Sequence, residues 1–200
     1  MKVKQGILIE ELLHITDKAK ATAVSFKELS EKELNAKKDP AQWSILECLE
    51  HLNLYGDFYL PEMEKQLLRG ENINKDAVFK SGIIGNYFAN LMKVDNGKMK
   101  KMKSPKDKDP ANSKLSVLVI DRFLKQADKL KQLLNLGRTV DLSKTKVSIS
   151  LTKLIKLRLG DTFRFYVYHI ERHLLQAQKN VKPGQNEEQS RLHEPMRRIG

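Results

Sequence analysis

A single cysteine, Cys48, means that no disulfide can close within the chain, and one thiol suits a reducing, cytoplasmic setting. Long apolar runs are also missing. The stretch from Gly82 to Met92 is interrupted by asparagines and falls well short of the roughly 20 residues that a membrane helix needs. The N-terminus starts basic, but its apolar run breaks at Glu10 and Glu11, too soon for a secretory signal. There is no Gly-rich phosphate loop, no G-x-S-x-G elbow and no C-x-x-C. Those absences remove the common nucleotide, serine-hydrolase and thioredoxin-like readings.

Positive charge is present in excess, with a formal net charge of +12. Much of that excess is local. Lys93, Lys98, Lys100, Lys101, Lys103, Lys106 and Lys108 face only Asp95 and Asp107 across the same stretch. The segment from Lys98 to Pro110 holds no aromatic residue, whereas nucleic-acid surfaces usually combine charge with stacking groups or an Arg-bearing recognition element. A solvated basic loop is the preferred reading and a polyanion patch the lesser one, so nucleic acid is not the expected partner.

With 200 residues, 40% hydrophobic and 31% charged, the chain suits one helical domain. Leu8, Leu12, Ile15, Ala19, Thr22, Phe26 and Leu29 recur at steps of three and four and predict a helix from about Gln5 to Asn35. Lys37 to Pro40 then break it. Ser44 and Glu47 form an S-x-x-E capping box that marks the next helix start, and Pro61 is expected to kink that helix before Gly70. A short amphipathic helix is expected around Ile83 to Met92, inside an irregular insertion from Glu71 to Asn112. A third long helix follows from about Ser113 to Leu136, stopped by Gly137. The stretch Arg138 to Ser150 reads as an extended crossover and not as a paired strand. The last helix carries Phe163, Val167, Ile170, Leu174 and Ala177, with Asp161 as its expected N-cap. The predicted architecture is all-α, a four-helix bundle with a long irregular insertion between helices 2 and 3. The domain is expected over residues 1–183, with a polar tail over 184–200.

Chemistry concentrates in the histidines. His169 and His173 lie four positions apart in the last helix, which puts both imidazoles on one side, about a turn apart, close enough to share an ion. Their stripe (Tyr166, His169, His173, Gln176) lies roughly 100° from the apolar stripe. That places the pair at the margin of the core, where a cleft between helices would be. An H-x-x-x-H pair alone also fits two surface or half-buried histidines packed among neighbours. Periodicity lets His51 of helix 2 approach the pair but does not establish it. Glu47, one turn before His51, is explained equally well by its cap, by a second-shell contact or by a general-base role. Cys48 reads as a buried inert thiol, Trp43 as a core anchor, His14 as exposed, and His193 as a tail residue.

Two blocks, Trp43-Ser-Ile-Leu-Glu-Cys-Leu-Glu-His51-Leu and Gly160-Asp-Thr-Phe-Arg-Phe-Tyr-Val-Tyr-His169-Ile-Glu-Arg-His173, resemble the DinB/YfiT-like superfamily (distinct from the similarly named DNA polymerase). The resemblance reaches almost to Pro183. It implies a four-helix bundle with a divalent metal, often nickel or zinc, held by His51, His169 and His173. It further implies an enzyme acting on a small molecule, perhaps a thiol S-transferase that uses a low-molecular-weight thiol as co-substrate. Glu47 or Glu50 would then serve as base or supporting group, and a homodimer is expected. A metal-dependent hydrolase and a non-catalytic helical binding protein with a structural or vestigial metal site are the alternatives.

Overall fold

Ser30 breaks what reads as one long first helix. Its hydroxyl accepts a hydrogen bond from the backbone N–H of Glu33, and the Glu33 carboxylate accepts one from the N–H of Ser30, so a new helix is capped there. The computed structural model, which describes residues 1–73, 77–95, 102–150 and 152–181, therefore opens with a short strand β1 (Lys2–Lys4), helix α1 (Gln5–Ser25), a 3₁₀ turn at Phe26–Glu28 and a short α2 (Glu31–Asn35). Helix α3 (Ile45–Leu67) starts at the expected Ser44 cap and continues through Pro61. Strand β2 (Val78–Lys80), α4 (Ile83–Met92), α5 (Leu118–Leu136), β3 (Lys146–Ile149), β4 (Thr152–Arg158) and α6 (Leu159–Gln178) complete the order.

The long helices α1, α3, α5 and α6 form the expected bundle: α1 and α3 each pack against both α5 and α6. The insertion between the second and third long helices also has structure. Helix α4 lies along α6, and Gly85 makes that approach close, since a Cβ there would stand 2.5 Å from Asp161 Oδ2. Two small antiparallel pairs, β1–β2 and β3–β4, flank the helices. Lys146–Ile149 is thus a paired strand and not an unpaired crossover. Its partner strand immediately precedes α6, and Val147 and Ile149 turn into the apolar interior.

Two further expectations change at α6. Its N-cap is Arg158, so Asp161 lies inside the first turn. There Asp161 caps a different helix, because its Oδ2 accepts the N–H of Gly82, the N-cap residue of α4, at 2.8 Å. Helix α6 is also buried almost all round, from Leu159 to Ile170 without a break, because α1, α3 and α4 all pack against it. The side that a one-stripe reading leaves at the margin is covered. Residues 184–200, expected as a polar tail, lie outside the described residues, as do residues 96–101 of the lysine-rich stretch.

Candidate metal centre

The capping box fixes the start of α3 and so the direction of His51. Ser44 Oγ accepts from Glu47 N at 3.1 Å, while a Glu47 carboxylate oxygen accepts from Ser44 N at 2.8 Å. One turn later His51 projects toward α6, where His169 and His173 lie on adjacent turns. All three are buried. Their candidate ligand nitrogens lie within 4.8 Å of one another, and the ring centroids stand 4.5–5.0 Å apart.

Proton positions follow from the partners. His51 Nδ1 lies 2.6 Å from the backbone carbonyl of Lys108. A carbonyl only accepts, so Nδ1 carries the hydrogen and Nε2 of the neutral ring presents a bare lone pair. His173 Nδ1 donates in the same way to Gln176 Oε1 at 3.0 Å. His51 Nε2 faces His169 Nε2 at 3.1 Å, while His169 Nδ1 has no hydrogen-bond partner among the described residues. Two bare lone pairs repel at that separation unless a proton or a cation lies between them. Nitrogens each about 2.0–2.1 Å from a shared ion, at tetrahedral to right angles, stand about 2.9–3.4 Å apart. The observed spacing fits a divalent ion, and so does an all-imidazole donor set.

The electrostatics favour the same state. Burial pushes the His51 imidazole down to about 4, against a partial opposing pull from its bond to Lys108. Burial also holds His169 and His173 well below the usual histidine range, and the positive charge of Arg172 acts on both in the same direction. At neutral pH all three rings are therefore uncharged, the form that ligates metal.

The triad forms part of the wall of a cavity of about 750 Å³, a size suited to a small organic molecule. Aromatic rings surround the histidines: Trp43 lies 4.6 Å from His51, Tyr55 4.5 Å from His169, and Phe165 stacks on His169 at 5.8 Å, centroid to centroid. Phe88 and Met92 of α4 close one wall, and Met102 to Pro105, from the end of the lysine-rich stretch, line another part.

The other sequence candidates take different places. Glu47 does not line the cavity. Its buried carboxylate accepts from Ser44 N, from Asn112 N at 2.7 Å and from Lys37 Nζ at 2.8 Å. It thereby ties the start of α3 to the loop that carries Lys108. Glu50 pairs with Arg122 at 3.0 Å and accepts from Asn53 at 3.2 Å, again away from the cavity. Cys48 is fully buried and burial raises its thiol pKa steeply, while His14 is exposed. Trp43 is half-buried at the cavity wall and not a core anchor. His193 lies outside the described residues. Sequence reasoning missed the Lys108 carbonyl, Tyr55 and Arg172. A backbone acceptor 57 residues from its histidine leaves no local sign, and Arg172 looks like any helical arginine. Gln176 did leave a signal, its place on the stripe of His169 and His173.

No helix among the described residues is long and apolar enough to cross a membrane. Compared with known proteins, residues 14–177 match the family model described as DinB superfamily. No curated protein and no solved structure matches the chain.

Proposed function

Because the chain belongs to the DinB superfamily, we propose that it is a metal-dependent enzyme in which His51, His169 and His173 hold one divalent ion, nickel or zinc, and a small molecule binds in the adjoining cavity. One observation carries this reading: three buried imidazoles converge on a point, with the far nitrogens of His51 and His173 already pinned by acceptors. A hydrogen-bonded partner behind each ligand fixes the tautomer and raises ligand basicity. Three protein ligands leave a position open, the pattern of a reactive site and not of a closed structural one. Bound there, such an ion supplies Lewis acidity that makes a low-molecular-weight thiol, or water, nucleophilic at neutral pH.

The rest belongs to this chain's own residues. Lys108 and Gln176 orient two of the ligands. Trp43, Tyr55 and Phe165 keep the centre apolar, which strengthens every charge interaction within it. In this reading Glu47 and Glu50 are positioning residues and not bases, since the carboxylate of each is engaged elsewhere. Thiol S-transfer is the preferred reaction: the thiol gives up its proton, sulfur bonds to an electrophilic carbon, and the leaving group departs with its electron pair. Hydrolysis is the alternative at the same centre. A cytoplasmic location and a homodimer belong to the same reading.

Metal analysis of the purified protein, with cobalt(II) as a spectroscopic probe, tests it. About one ion per chain is expected, with a visible cobalt spectrum that shifts when a small thiol such as cysteine is added. No uptake removes the enzyme reading. Uptake with a spectrum blind to thiols replaces the transferase with a hydrolase or a structural metal site.

A further inference from the structure

The cavity has a chemical bias that the histidines alone do not set. Three imidazoles bring no negative charge, so a divalent ion among them keeps its full positive charge in an aromatic surround of low polarity. The other charged residues on the walls are Lys103, Arg172 and Lys179 against Asp39 and Asp109. Both carboxylates are occupied in turning the chain: Asp39 Oδ1 accepts from Ala41 N at 2.8 Å, and Asp109 Oδ1 accepts from Ala111 N at 3.1 Å. Arg172 differs from the two lysines because it is buried and lies on α6 between the two histidine ligands, three residues after one and one before the other. Its planar guanidinium suits a two-point hold on a carboxylate. The aromatic wall of Trp43, Tyr55, Tyr59 and Phe165 suits a flat apolar body.

We infer that the cavity takes an aromatic or similarly flat organic acid, with Arg172 anchoring its carboxylate beside the histidine centre. This deepens the proposed function and rests on the metal reading only for the reactive end of the molecule. Arg172 is then a specificity-determining residue, a role that no local sequence pattern announces.

Trp43 is the only tryptophan in the chain and lies on the cavity wall, so its fluorescence reports on cavity occupancy. The probes are 3-phenylpropionate and its neutral counterpart 3-phenylpropionamide, titrated into metal-free and zinc-loaded protein. The acid is expected to bind at least about 10-fold tighter than the amide in both forms, as a charge-assisted pair warrants. Arg172→Gln should erase that preference while leaving amide binding and zinc content unchanged, and Arg172→Lys should keep part of it. Equal binding of acid and amide to the wild type, or no binding of either, overturns the inference. So does a preference that survives in Arg172→Gln, or one that appears only with zinc, which would assign the carboxylate to the ion. Preserved acid preference in a protein that takes up no zinc upholds the carboxylate site and removes the metal reading alone.

Discussion

Helix α6 carries two buried polar clusters, and they solve the problem of burial in opposite ways. Near its N-terminus Asp161 and Arg164 form an ion pair at 3.2 Å. The Asp161 carboxylate also accepts from the Ser81 hydroxyl and the Gly82 N–H. The Arg164 guanidinium reaches Ser81, Asn86 and Asn90 at 3.0–3.2 Å. Charge meets charge, nearly every donor is taken, and the product is a weld between α4 and α6. Little more than a turn later, His169 and His173 join His51 in a cluster of like groups. Their outer nitrogens at His51 and His173 are satisfied, and their inner nitrogens aim at one another. A self-satisfied network serves the fold, whereas a set of convergent bare acceptors serves a cation. Burial alone does not separate the two kinds of cluster; the direction of the lone pairs does.

Breaking the weld should have the largest effect. Arg164→Met strands a buried carboxylate and should lower stability to urea by about 3–5 kcal/mol, while the zinc affinity of the protein that remains folded stays within about twofold. An equal loss of zinc affinity would erase the contrast between the clusters. Removing any one ligand (His51→Ala, His169→Ala or His173→Ala) should do the reverse. Zinc binding should weaken at least about 100-fold, roughly 2.7 kcal/mol, with a smaller change in the stability of the metal-free protein, both read by calorimetry.

Glu47→Ala belongs to neither cluster but supports one of them. Loss of the capping box and of the Lys37 pair should cost about 2 kcal/mol. Release of the Lys108 loop from Asn112 should weaken zinc binding by about 10-fold. A stability loss without any change in zinc affinity would mean that the loop holds His51 on its own.

The smallest effect concerns pH, and its sign is definite. Folded His51 titrates near 4 against 6.5 for a free imidazole, so the unfolded chain takes up protons first as pH falls. Stability of the metal-free protein should therefore be full above about pH 6.5 and decline toward pH 4, with His51 alone contributing a loss of about 1 kcal/mol by pH 5.5. Over that window the folded rings remain neutral, so zinc affinity at pH 5.5 should stay within about threefold of its value at pH 7. Exposed histidines would lose zinc progressively below 6.5, and such a loss here would show that the centre is open to water.

Much of the scaffold was legible because it depends on local rules. The Ser44–Glu47 box marked α3 to the residue, and apolar steps of three and four located α1, α4, α5 and α6. The errors fell where tertiary contacts compete with periodicity. The Ser30–Glu33 box lay inside an unbroken apolar stripe, and the stripe hid it. The β3–β4 pair needed a partner strand whose own pattern merges into the start of α6. Asp161 carried the right capping chemistry for the wrong helix, since its partner Gly82 is 79 residues away.

For the histidines the division is sharper. The sequence by itself determined that His169 and His173 share one side of a helix, because a helical repeat of 3.6 residues leaves no other outcome for a spacing of four. It also set the composition of the centre, nitrogen donors with no carboxylate among them. Bringing His51 within 3.1 Å of His169 required the packing of α3 on α6, and no spacing within either helix encodes a distance across 118 residues. Only the tertiary structure decided which nitrogen of His51 stays bare, because that depends on a carbonyl delivered by the loop at Lys108. Only the covering of α6 by its neighbours made the centre dry enough to keep three imidazoles uncharged, since desolvation is a property of the assembled core and of no single helix.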